Sequence, residues 1–467
     1  MTAGLDMKLR AARAVGDLAR RAGRGGGTSL PGKVLMRLEP HAIGQLAARL
    51  PRGSVVISAT NGKTTTAALA ASVLEQAGIS LVHNRAGANM AGGVASTLLA
   101  ASRSGGAIDG ELGLFEVDEF WLDRIIGPEL DPRAILLGNL FRDQLDRYGE
   151  LETIADRWAA MVASLSGSAQ LALNADDPLI ADLGRGRPGV TYFGVEDPSM
   201  AMPEMQHASD SKHCRRCGAA YVYEAIYFGH LGRYSCPSCG QRRPQPSVAA
   251  EQIELHGTSS ASFQLRTPPG SVAISLPLPG LYNVYNALGA AALCLALGVS
   301  LDAVAAGLGR VRAAFGRAER IRIGGVELSI LLVKNPAGAN EILRTLVLER
   351  AQLDVFGILN DRTADGRDVS WIWDADFEIL APRVRRVTCS GTRAAELALR
   401  LKYAGVPVER LHVVPDVSSA LDQALATATD GRLFALPTYT ALLQLRDELA
   451  GRGHVAQFWV PDGRIRS

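Results

Sequence analysis

A lysine flanked by a glycine and by three threonines is the residue pattern in this chain that points most directly to chemistry. Residues 60–66 read Thr-Asn-Gly-Lys-Thr-Thr-Thr, between an apolar run at 55–57 and an alanine- and leucine-rich stretch. This context predicts a strand, a loop and a helix, and the N–H groups at such a helix start bind phosphate oxygens. Lys63 is expected to contact the β- and γ-phosphates of a nucleotide, and Thr64 to bind Mg²⁺. The predicted ATP-binding residues are Thr60, Asn61, Gly62, Lys63, Thr64 and Thr65.

The match to the usual phosphate-loop pattern is incomplete, because Ile57 stands at the position of its first glycine. A chance Gly-Lys-Thr at the start of a helix is the alternative. The order of strand, turn and helix favours the phosphate loop, since each element falls where phosphate binding needs it.

Four cysteines form a second chemical pattern. Cys214 and Cys217 make one Cys-x₂-Cys pair, Cys236 and Cys239 make another, and 18 residues separate the pairs. Four thiolates at this spacing suit tetrahedral Zn²⁺ and leave no open position for water, so a structural zinc ribbon is predicted within residues 211–243. Arginines flank the cysteines, and they fit either a solvated basic surface or a ribbon that binds nucleic acid.

Apolar runs alternate with helical stretches along most of the chain. Strands are predicted in residues 51–314 at Val55–Ile57, Leu112–Val117, Ala134–Gly138, Leu171–Leu173 and Val190–Phe193, and in residues 318–467 at Leu328–Val333, Val355–Leu359, Arg386–Cys389, Leu411–Val414 and Leu433–Leu436. Such alternation predicts α/β domains with parallel sheets, helices on both faces and ligand sites at the carboxyl ends of the strands. The predicted architecture is a central P-loop ATPase domain (51–314) that carries the zinc ribbon, followed by a smaller doubly wound C-terminal domain (318–467).

Length and composition narrow the class of protein. The 467 residues carry a net charge of +2, and 47% of them are apolar, which suits a globular protein of about three domains. No apolar run reaches the roughly 18 residues of a membrane span, and no apolar h-region marks a secretory signal. A cytoplasmic location is therefore expected, and the global charge does not favour nucleic acid.

A basic segment, residues 1–50, precedes these domains. Apolar residues at positions 7, 11, 14, 15 and 18 fall near helical spacing. A basic amphipathic helix there could contact an anionic membrane surface, or it could be a surface helix that packs on the next domain.

Six motifs, in order along the chain, carry a family resemblance. They lie at residues 59–65, at Glu116 in Phe-Glu-Val-Asp-Glu, and at residues 139–149, 174–177, 280–286 and 316–320. Together they resemble the Mur ligases and folylpolyglutamate synthases, which place a Mg²⁺-binding glutamate at the position of Glu116. The resemblance implies a Mur-ligase-like fold, ATP and Mg²⁺ as cofactors, and nucleotide contacts from Asn283, Arg317 and Asn335. For Asn283 a helix cap is the alternative.

Departures from that pattern narrow the family further. Gln144 stands where a histidine usually serves a second metal, and Lys334 replaces the aspartate of an Asp-Asn-Pro motif. The four-cysteine insertion and residues 360–374 are foreign to ordinary Mur ligases. With these features the chain resembles the MurT family, the synthetase subunits of lipid II isoglutaminyl synthases.

Resemblance to the MurT family implies a reaction and a partner. The reaction is ATP-dependent amidation of the α-carboxyl of D-glutamate in the peptidoglycan stem peptide of lipid II, through an acyl phosphate, to D-isoglutamine. Lys63 and Glu116 would be catalytic, and Thr64 with Glu116 would hold Mg²⁺. No glutaminase signature is visible in the sequence. Ammonia is therefore expected from a GatD-type glutaminase subunit in a heterodimer. The resemblance also implies a peripheral position at the inner face of the cell membrane, and no nucleic-acid partner is expected.

An acidic segment with tryptophans beside it is the expected contact with that partner. Residues 361–376 hold five aspartates and follow a predicted strand. By resemblance, one aspartate would orient the catalytic histidine of the glutaminase. Asp368 is the first candidate and Asp365 the second, and a solvated acidic loop anchored by a tryptophan is the alternative.

Two other functions stay open at this point. One is a stand-alone ligase that adds an amino acid, as Mur ligases and folylpolyglutamate synthases do, although the four-cysteine insertion and residues 360–374 argue against it. The other is a non-catalytic nucleotide-binding module whose zinc ribbon binds nucleic acid, which would give steeply salt-dependent binding.

Overall fold

Two large sheets organise the described residues, one in a central part and one in a C-terminal part. They are seen in a computed structural model that describes residues 2–21, 29–84, 88–103, 107–143, 151–206, 209–311 and 317–455. Gln144 therefore lies outside the described residues, and so does the side chain of Arg317.

The central part comprises residues 2–311. Its helices are α1 (Thr2–Arg21), α2 (Leu30–Leu38), α3 (Ala42–Ala47), α4 (Lys63–Gln76), α5 (Ala91–Ala101), α6 (Leu122–Ile125), α7 (Leu151–Ser164), α8 (Pro178–Leu183), α9 (Leu281–Ala296) and α10 (Leu301–Arg310). Its strands are β1 (Ser54–Ser58), β2 (Leu81–His83), β3 (Leu112–Glu116), β4 (Ala134–Leu137), β5 (Gln170–Asn174), β6 (Val190–Val195), β7 (Val222–Phe228), β8 (Leu231–Ser235), β9 (Val248–His256), β10 (Ser260–Thr267) and β11 (Gly270–Leu276).

A mixed sheet forms the middle of this part, in the order β11-β10-β9-β6-β5-β4-β1-β3-β2. Neighbours from β2 to β9 pair in parallel, whereas β9, β10 and β11 pair antiparallel. Every residue of β1 is buried, as expected of a parallel strand covered on both faces. The parallel strands predicted from the sequence are confirmed, and the antiparallel extension was not predicted.

Parallel pairing brings the ends of β1, β3 and β4 to one edge of the sheet. Ile57 of β1 lies beside Glu116 of β3, and Ser58 lies beside Leu137 of β4. The loop that follows β1 and the residues that follow β4 therefore meet Glu116 at this carboxyl edge, where ligands bind in such sheets.

Helices α1 to α3 pack on the central part. Leu5 and Leu9 of α1 are buried in the same apolar core as α5. The backbones of α2 and α5 approach closely, because a Cβ at Gly32 would lie 2.0 Å from the Gly92 carbonyl oxygen. The described helices of the basic N-terminal segment thus pack against α5 of the central part.

In the sequence, a hairpin of β7 and β8 is inserted between β6 and β9, which are themselves neighbours in the central sheet. The two strands pair antiparallel, and both cysteine pairs lie at the open end of this hairpin, one pair before β7 and one after β8. The hairpin turn, which we call the ribbon tip (residues 228–231), lies at the opposite end.

The C-terminal part repeats the α/β pattern on a smaller scale. Its helices are α11 (Pro336–Val347), α12 (Ala394–Tyr403), α13 (Val417–Thr427) and α14 (Tyr439–Gly451), and its strands are β12 (Arg317–Ile323), β13 (Val326–Leu331), β14 (Leu353–Ile358), β15 (Val384–Ser390), β16 (Leu411–Val413) and β17 (Arg432–Pro437). The order is β12-β13-β17-β14-β15-β16, and all neighbours except β12 and β13 pair in parallel. Successive residues Val355 and Phe356 lie in different apolar cores, so both faces of the sheet are covered. The predicted doubly wound domain is confirmed.

Candidate active site

The loop between β1 and α4 has a backbone that requires glycine. Gly62 has a φ of 85°, in the left-handed region that glycine adopts without strain. A Cβ there would also lie 2.0 Å from Oδ1 of Asn286, near the start of α9. Helix α4 begins at the next residue, Lys63, and the first N–H groups of a helix have no partner within it.

Lys63 is buried against this loop. Its Nζ donates to Glu119 Oε2 at 2.7 Å, to the Ala59 carbonyl at 2.5 Å and to the Thr60 carbonyl at 3.3 Å. Burial disfavours the ammonium, but neighbouring carboxylates, that of Glu119 first, outweigh this cost and hold the pKa of Lys63 above its ordinary value. Burial also opposes ionisation of Glu119, and Lys63 with Lys334 outweighs it and holds the pKa of Glu119 below its usual value. Both members of the pair are therefore charged.

Glu116 ends β3 and faces the first turn of α4. Thr64 Oγ1 donates to Glu116 Oε2 at 2.8 Å. Asn84 fixes the Glu116 backbone, donating to its carbonyl at 2.8 Å and accepting from its N–H at 2.9 Å. Neighbouring oxygen ligands of an octahedral Mg²⁺ are about 3.0 Å apart. The Thr64 hydroxyl and the Glu116 carboxylate therefore fit the ion that the sequence predicts for them.

Asn139, which follows β4, braces the loop from the other side. Its Oδ1 accepts from the Asn61 N–H at 2.9 Å, and its Nδ2 donates to the Asn61 carbonyl at 3.0 Å. The Thr60 N–H donates to the Asn139 carbonyl at 3.0 Å, and the Phe141 N–H donates to Thr60 Oγ1 at 3.0 Å. These contacts fix the backbone of the loop.

Two residues of the C-terminal part close over the loop. Asn335 Nδ2 donates to Asn61 Oδ1 at 3.0 Å, and Asn61 Nδ2 donates back to Asn335 Oδ1 at 3.3 Å. Asn335 Oδ1 also accepts from the Gly338 N–H at 2.8 Å, which caps α11. Lys334 forms an ion pair with Asp143. Burial raises the pKa of Asp143, and Lys334 only partly opposes this.

A cavity of about 510 Å³ lies where the two parts meet. The charged residues that line it are Lys63, Lys334, Glu116, Asp118, Glu119, Asp143 and Glu341. Apolar and aromatic residues line it too, among them Phe228, Leu231, Tyr282, Tyr285, Leu331 and Ile342. The volume and the mixed lining suit a small-molecule ligand such as a nucleotide.

The four cysteines come together as the sequence predicts. Their ligand atoms all lie within 4.8 Å of one another. Sγ of Cys214 is 3.6 Å from that of Cys239, and Sγ of Cys217 is 3.4 Å from that of Cys236. Zn–S bonds of about 2.3 Å put the sulfurs of a tetrahedral site about 3.8 Å apart. The donor set and its spacing therefore fit Zn²⁺.

The arginines beside the first cysteine pair have partners within the chain. Arg215 forms an ion pair with Asp156 of α7, and Arg216 forms one with Asp182 of α8. These pairs hold the ribbon against the central part. The two aspartates also neutralise the arginine charges that a nucleic-acid-binding ribbon would present to phosphates.

The two aspartates considered for a partner contact differ in exposure. Asp365 is buried, and its oxygens accept from the Thr440 N–H at 2.7 Å, the Thr440 hydroxyl and the Arg362 N–H at 3.2 Å. Asp368 is exposed and accepts from the Ser370 N–H at 2.8 Å. Hydrogen bonds from Ser370 hold the pKa of Asp368 below its usual value. Of the two, Asp368 has the surface position that a contact with a partner needs.

Asn283 lies behind the cavity and not on its wall. Its Nδ2 donates to the Pro279 carbonyl at 2.8 Å, and its Oδ1 accepts from Asn286 Nδ2 at 3.0 Å. The residue that caps α9 is Gly280 and not Asn283. Asn286, which the same motif contains, lines the cavity.

Sequence reasoning did not single out Glu119 or Asp143 as site residues. Both lie inside motifs that carry the family resemblance, Glu119 in Phe-Glu-Val-Asp-Glu and Asp143 in residues 139–149. Their place within these motifs is the feature of the sequence that could have identified them. Their roles depend on Lys63 and Lys334, which reach them only in the folded chain.

Comparisons with known proteins agree on both parts of the chain. The Mur ligase middle domain model matches residues 57–236, and the MurT ligase C-terminal model matches residues 332–442. The lipid II isoglutaminyl synthase (glutamine-hydrolyzing) subunit MurT of Streptococcus pneumoniae is 32% identical, over 92% of this chain and 93% of its own length. The subunit of the same name from Staphylococcus aureus strain N315 is 33% identical, over 92% of this chain and 95% of its own length. The chain belongs to the MurT family.

Solved structures show the same fold for this MurT family member. A pseudomurein peptide ligase type C from Methanothermus fervidus superposes with a TM-score of 0.63 at 21% identity, over 85% of this chain and 78% of the other. A folylpolyglutamate synthase from Mycobacterium tuberculosis, complexed with ADP, gives a TM-score of 0.61 at 16% identity, over 90% and 94%. Within the described residues, none of the helices is both long and apolar enough to cross a membrane.

The cysteine geometry generates a prediction about metal content. The purified protein should contain roughly one equivalent of zinc, bound by Cys214, Cys217, Cys236 and Cys239. Cys217→Ser should lose most of it and lower the Tm by several degrees, since ~1 kcal/mol shifts the Tm of a domain of this size by about 2–4 °C. Elemental analysis and calorimetry measure both. Ser238→Ala, an exposed change within the second cysteine pair, is the control and should alter neither; a stable wild-type protein without zinc would contradict the assignment.

Proposed function

We propose that this MurT family member is the synthetase subunit of a lipid II isoglutaminyl synthase. It would amidate the α-carboxyl of D-glutamate in the stem peptide of lipid II, using ATP and ammonia. The names of its curated relatives from Streptococcus pneumoniae and Staphylococcus aureus support this activity. Because the substrate is lipid-linked, the reaction would take place in the cytoplasm at the inner face of the cell membrane.

One observation carries the proposal. Groups suited to phosphate and Mg²⁺ lie in one cavity, at the carboxyl edge of the central sheet, and a second domain closes over them. Lys63 is charged and fixed, and Thr64 and Glu116 are spaced as two ligands of one ion. Asn335 connects the C-terminal part directly to the loop at Asn61. Phosphoryl transfer depends mainly on positioning and charge neutralisation, and this arrangement supplies both.

The first step would form an acyl phosphate. A carboxylate oxygen of the substrate bonds to the γ-phosphorus of ATP, and the bond to the ADP oxygen breaks. Lys63 would exchange part of its contact with Glu119 for phosphate oxygens and stabilise the charge on the transferred group. Mg²⁺ held by Thr64 and Glu116 would neutralise phosphate charge.

The second step would form the amide. The nitrogen of ammonia bonds to the acyl carbon, the carbon–oxygen bond to phosphate breaks, and the nitrogen loses a proton. The chain offers no exposed thiolate for glutamine hydrolysis among its described non-ribbon cysteines. Cys294 and Cys389 are fully buried, and burial raises the pKa of both thiols, that of Cys389 to about 12. Ammonia would therefore come from a GatD-type glutaminase in a heterodimer.

The segment after β14 would connect this partner with the active site. Thr363 and Ala364 line the cavity, and Asp368 lies exposed a few residues further on. Asp368 would accept a hydrogen bond from the catalytic histidine of the glutaminase, as the acid of a Cys-His-Asp arrangement does. Asp365 would hold the segment in place through Thr440.

The phosphate loop generates the first functional prediction. Lys63→Ala should reduce ATP-dependent amidation of lipid II by on the order of 10³-fold, because it removes a charge that stabilises the transferring phosphate. Mass spectrometry of the stem peptide measures the product. Lys402→Ala, which removes an exposed lysine of α12, is the control and should retain activity. Near-normal turnover by a folded Lys63→Ala protein would remove the basis of the phosphate-loop assignment.

The acidic segment, residues 361–376, generates the second functional prediction. Asp368→Asn should reduce glutamine-driven amidation by roughly 10²-fold or more and leave amidation driven by added ammonium unchanged, because only the glutaminase step needs the aspartate. Asp374→Asn, also exposed in this segment, is the control. Equal loss with both ammonia sources would place Asp368 in the ligase chemistry or the fold, and no loss with either would exclude it.

A further inference from the structure

The ribbon tip reaches the nucleotide cavity, although the four cysteines of the same hairpin lie at its far end. Phe228 and Leu231 line the cavity together with Asn61 and Lys63 of the phosphate loop. Both tip residues are buried in the central apolar core. The inserted hairpin is therefore part of the cavity wall.

Aromatic packing connects the tip with the phosphate loop. The Phe141 ring centroid lies 5.0 Å from that of Phe228, in a stacked arrangement, and 4.7 Å from that of His230. Phe141 also donates its N–H to Thr60 Oγ1 at 3.0 Å. One residue thus contacts the tip through its ring and the loop through its backbone.

The tip is fixed from two further directions. His230 Nε2 lies 3.4 Å from Asp177 Oδ2, and the same oxygen accepts from the Leu140 N–H at 2.9 Å. Arg344 of α11, in the C-terminal part, donates to the carbonyl of Tyr227, the residue just before the tip, at 2.9 Å. The central part therefore contacts the tip itself, and the C-terminal part contacts the strand that leads into it.

The phosphate end of the cavity is already assigned by charge. In the proposed function Lys63 binds the phosphates, and Thr64 and Glu116 bind Mg²⁺. The ribose and the base of the nucleotide must therefore contact other residues that line the cavity. The Phe228 ring is 6.5 Å, centroid to centroid, from that of Tyr285, and Tyr285 precedes Asn286 beside the phosphate loop. This surface is apolar and aromatic, which suits the face of a purine.

We infer that the ribbon tip forms the wall against which the purine base of the nucleotide packs, with Phe228 as its main contact. The inference rests on the proposed use of ATP and adds to it a role for the inserted hairpin. The hairpin would position the nucleotide through its tip, while its cysteines hold the other end. Phe228 is then a residue for base binding and not for phosphate binding.

The test compares two ligands of the full-length protein by calorimetry: AMPPNP, which has a base, and inorganic tripolyphosphate, which has none. Phe228→Ala should raise the Kd for AMPPNP about tenfold and leave that for tripolyphosphate unchanged, since stacking on an aromatic side chain is lost only by the base. Phe228→Leu keeps most of the buried volume and is therefore expected to fold. It should also raise the Kd for AMPPNP. Val222→Ala, exposed on β7 of the same hairpin, should bind both ligands as the wild type does.

Several results would overturn the inference. Unchanged AMPPNP affinity in a folded Phe228→Leu protein would exclude base contact, and an equal loss for both ligands would mean that the tip supports the phosphate loop alone. A raised KM for the lipid-linked acceptor with unchanged AMPPNP affinity would assign the wall to the other substrate. Failure of the wild-type protein to bind AMPPNP would instead contradict the proposed function itself, so the two failures are distinguishable.

Discussion

Parallel pairing of β1 with β3 on one side and β4 on the other sets the distances among the polar groups of the site. Backbone hydrogen bonds fix the register of the three strands, and the register fixes where each one ends. Glu116 ends β3 opposite Ile57, so its carboxylate meets the hydroxyl of Thr64 in the first turn of α4. Asn139 comes after β4 and reaches Asn61 from the other side. A change in register by one residue would turn these side chains to the opposite face.

Charge balance is the second constraint on the cavity. Five carboxylic acid side chains line it, and two lysines, Lys63 from the central part and Lys334 from the C-terminal part, lie among them. Burial of an unpaired charge is costly, so the acids depend on these cations. The pairs Lys63–Glu119 and Lys334–Asp143 supply that balance. Because one lysine belongs to each part, the approach of the two parts and the charge of the site are coupled, which suits a ligase that closes over its nucleotide.

Features encoded in short stretches could be read from the sequence. The buried parallel strands appear as apolar runs, Gly62-Lys63-Thr64 shows the turn and the helix start, and the cysteine spacing shows the ribbon. The antiparallel strands β9 to β11 were missed, because β10 buries only alternate residues and gives a weaker apolar signal. The choice between Asn283 and Asn286 depends on which face of α9 meets the loop, and the place of the ribbon tip depends on contacts with Phe141. Such contacts arise only from tertiary packing, so no local pattern contains them.

Transfer of oxygen from the substrate carboxylate to phosphate tests the central claim most directly. Lipid II labelled with ¹⁸O at both oxygens of the D-glutamate α-carboxyl would be incubated with the protein, the proposed glutaminase subunit, glutamine, ATP and Mg²⁺. If a carboxylate oxygen attacks the γ-phosphorus and ammonia then displaces phosphate, one labelled oxygen stays in each amide and the other appears in the inorganic phosphate. Mass spectrometry of both products should therefore give one ¹⁸O in phosphate for every amide formed. Amide formation with unlabelled phosphate would contradict the acyl phosphate and the role assigned to the Lys63 loop.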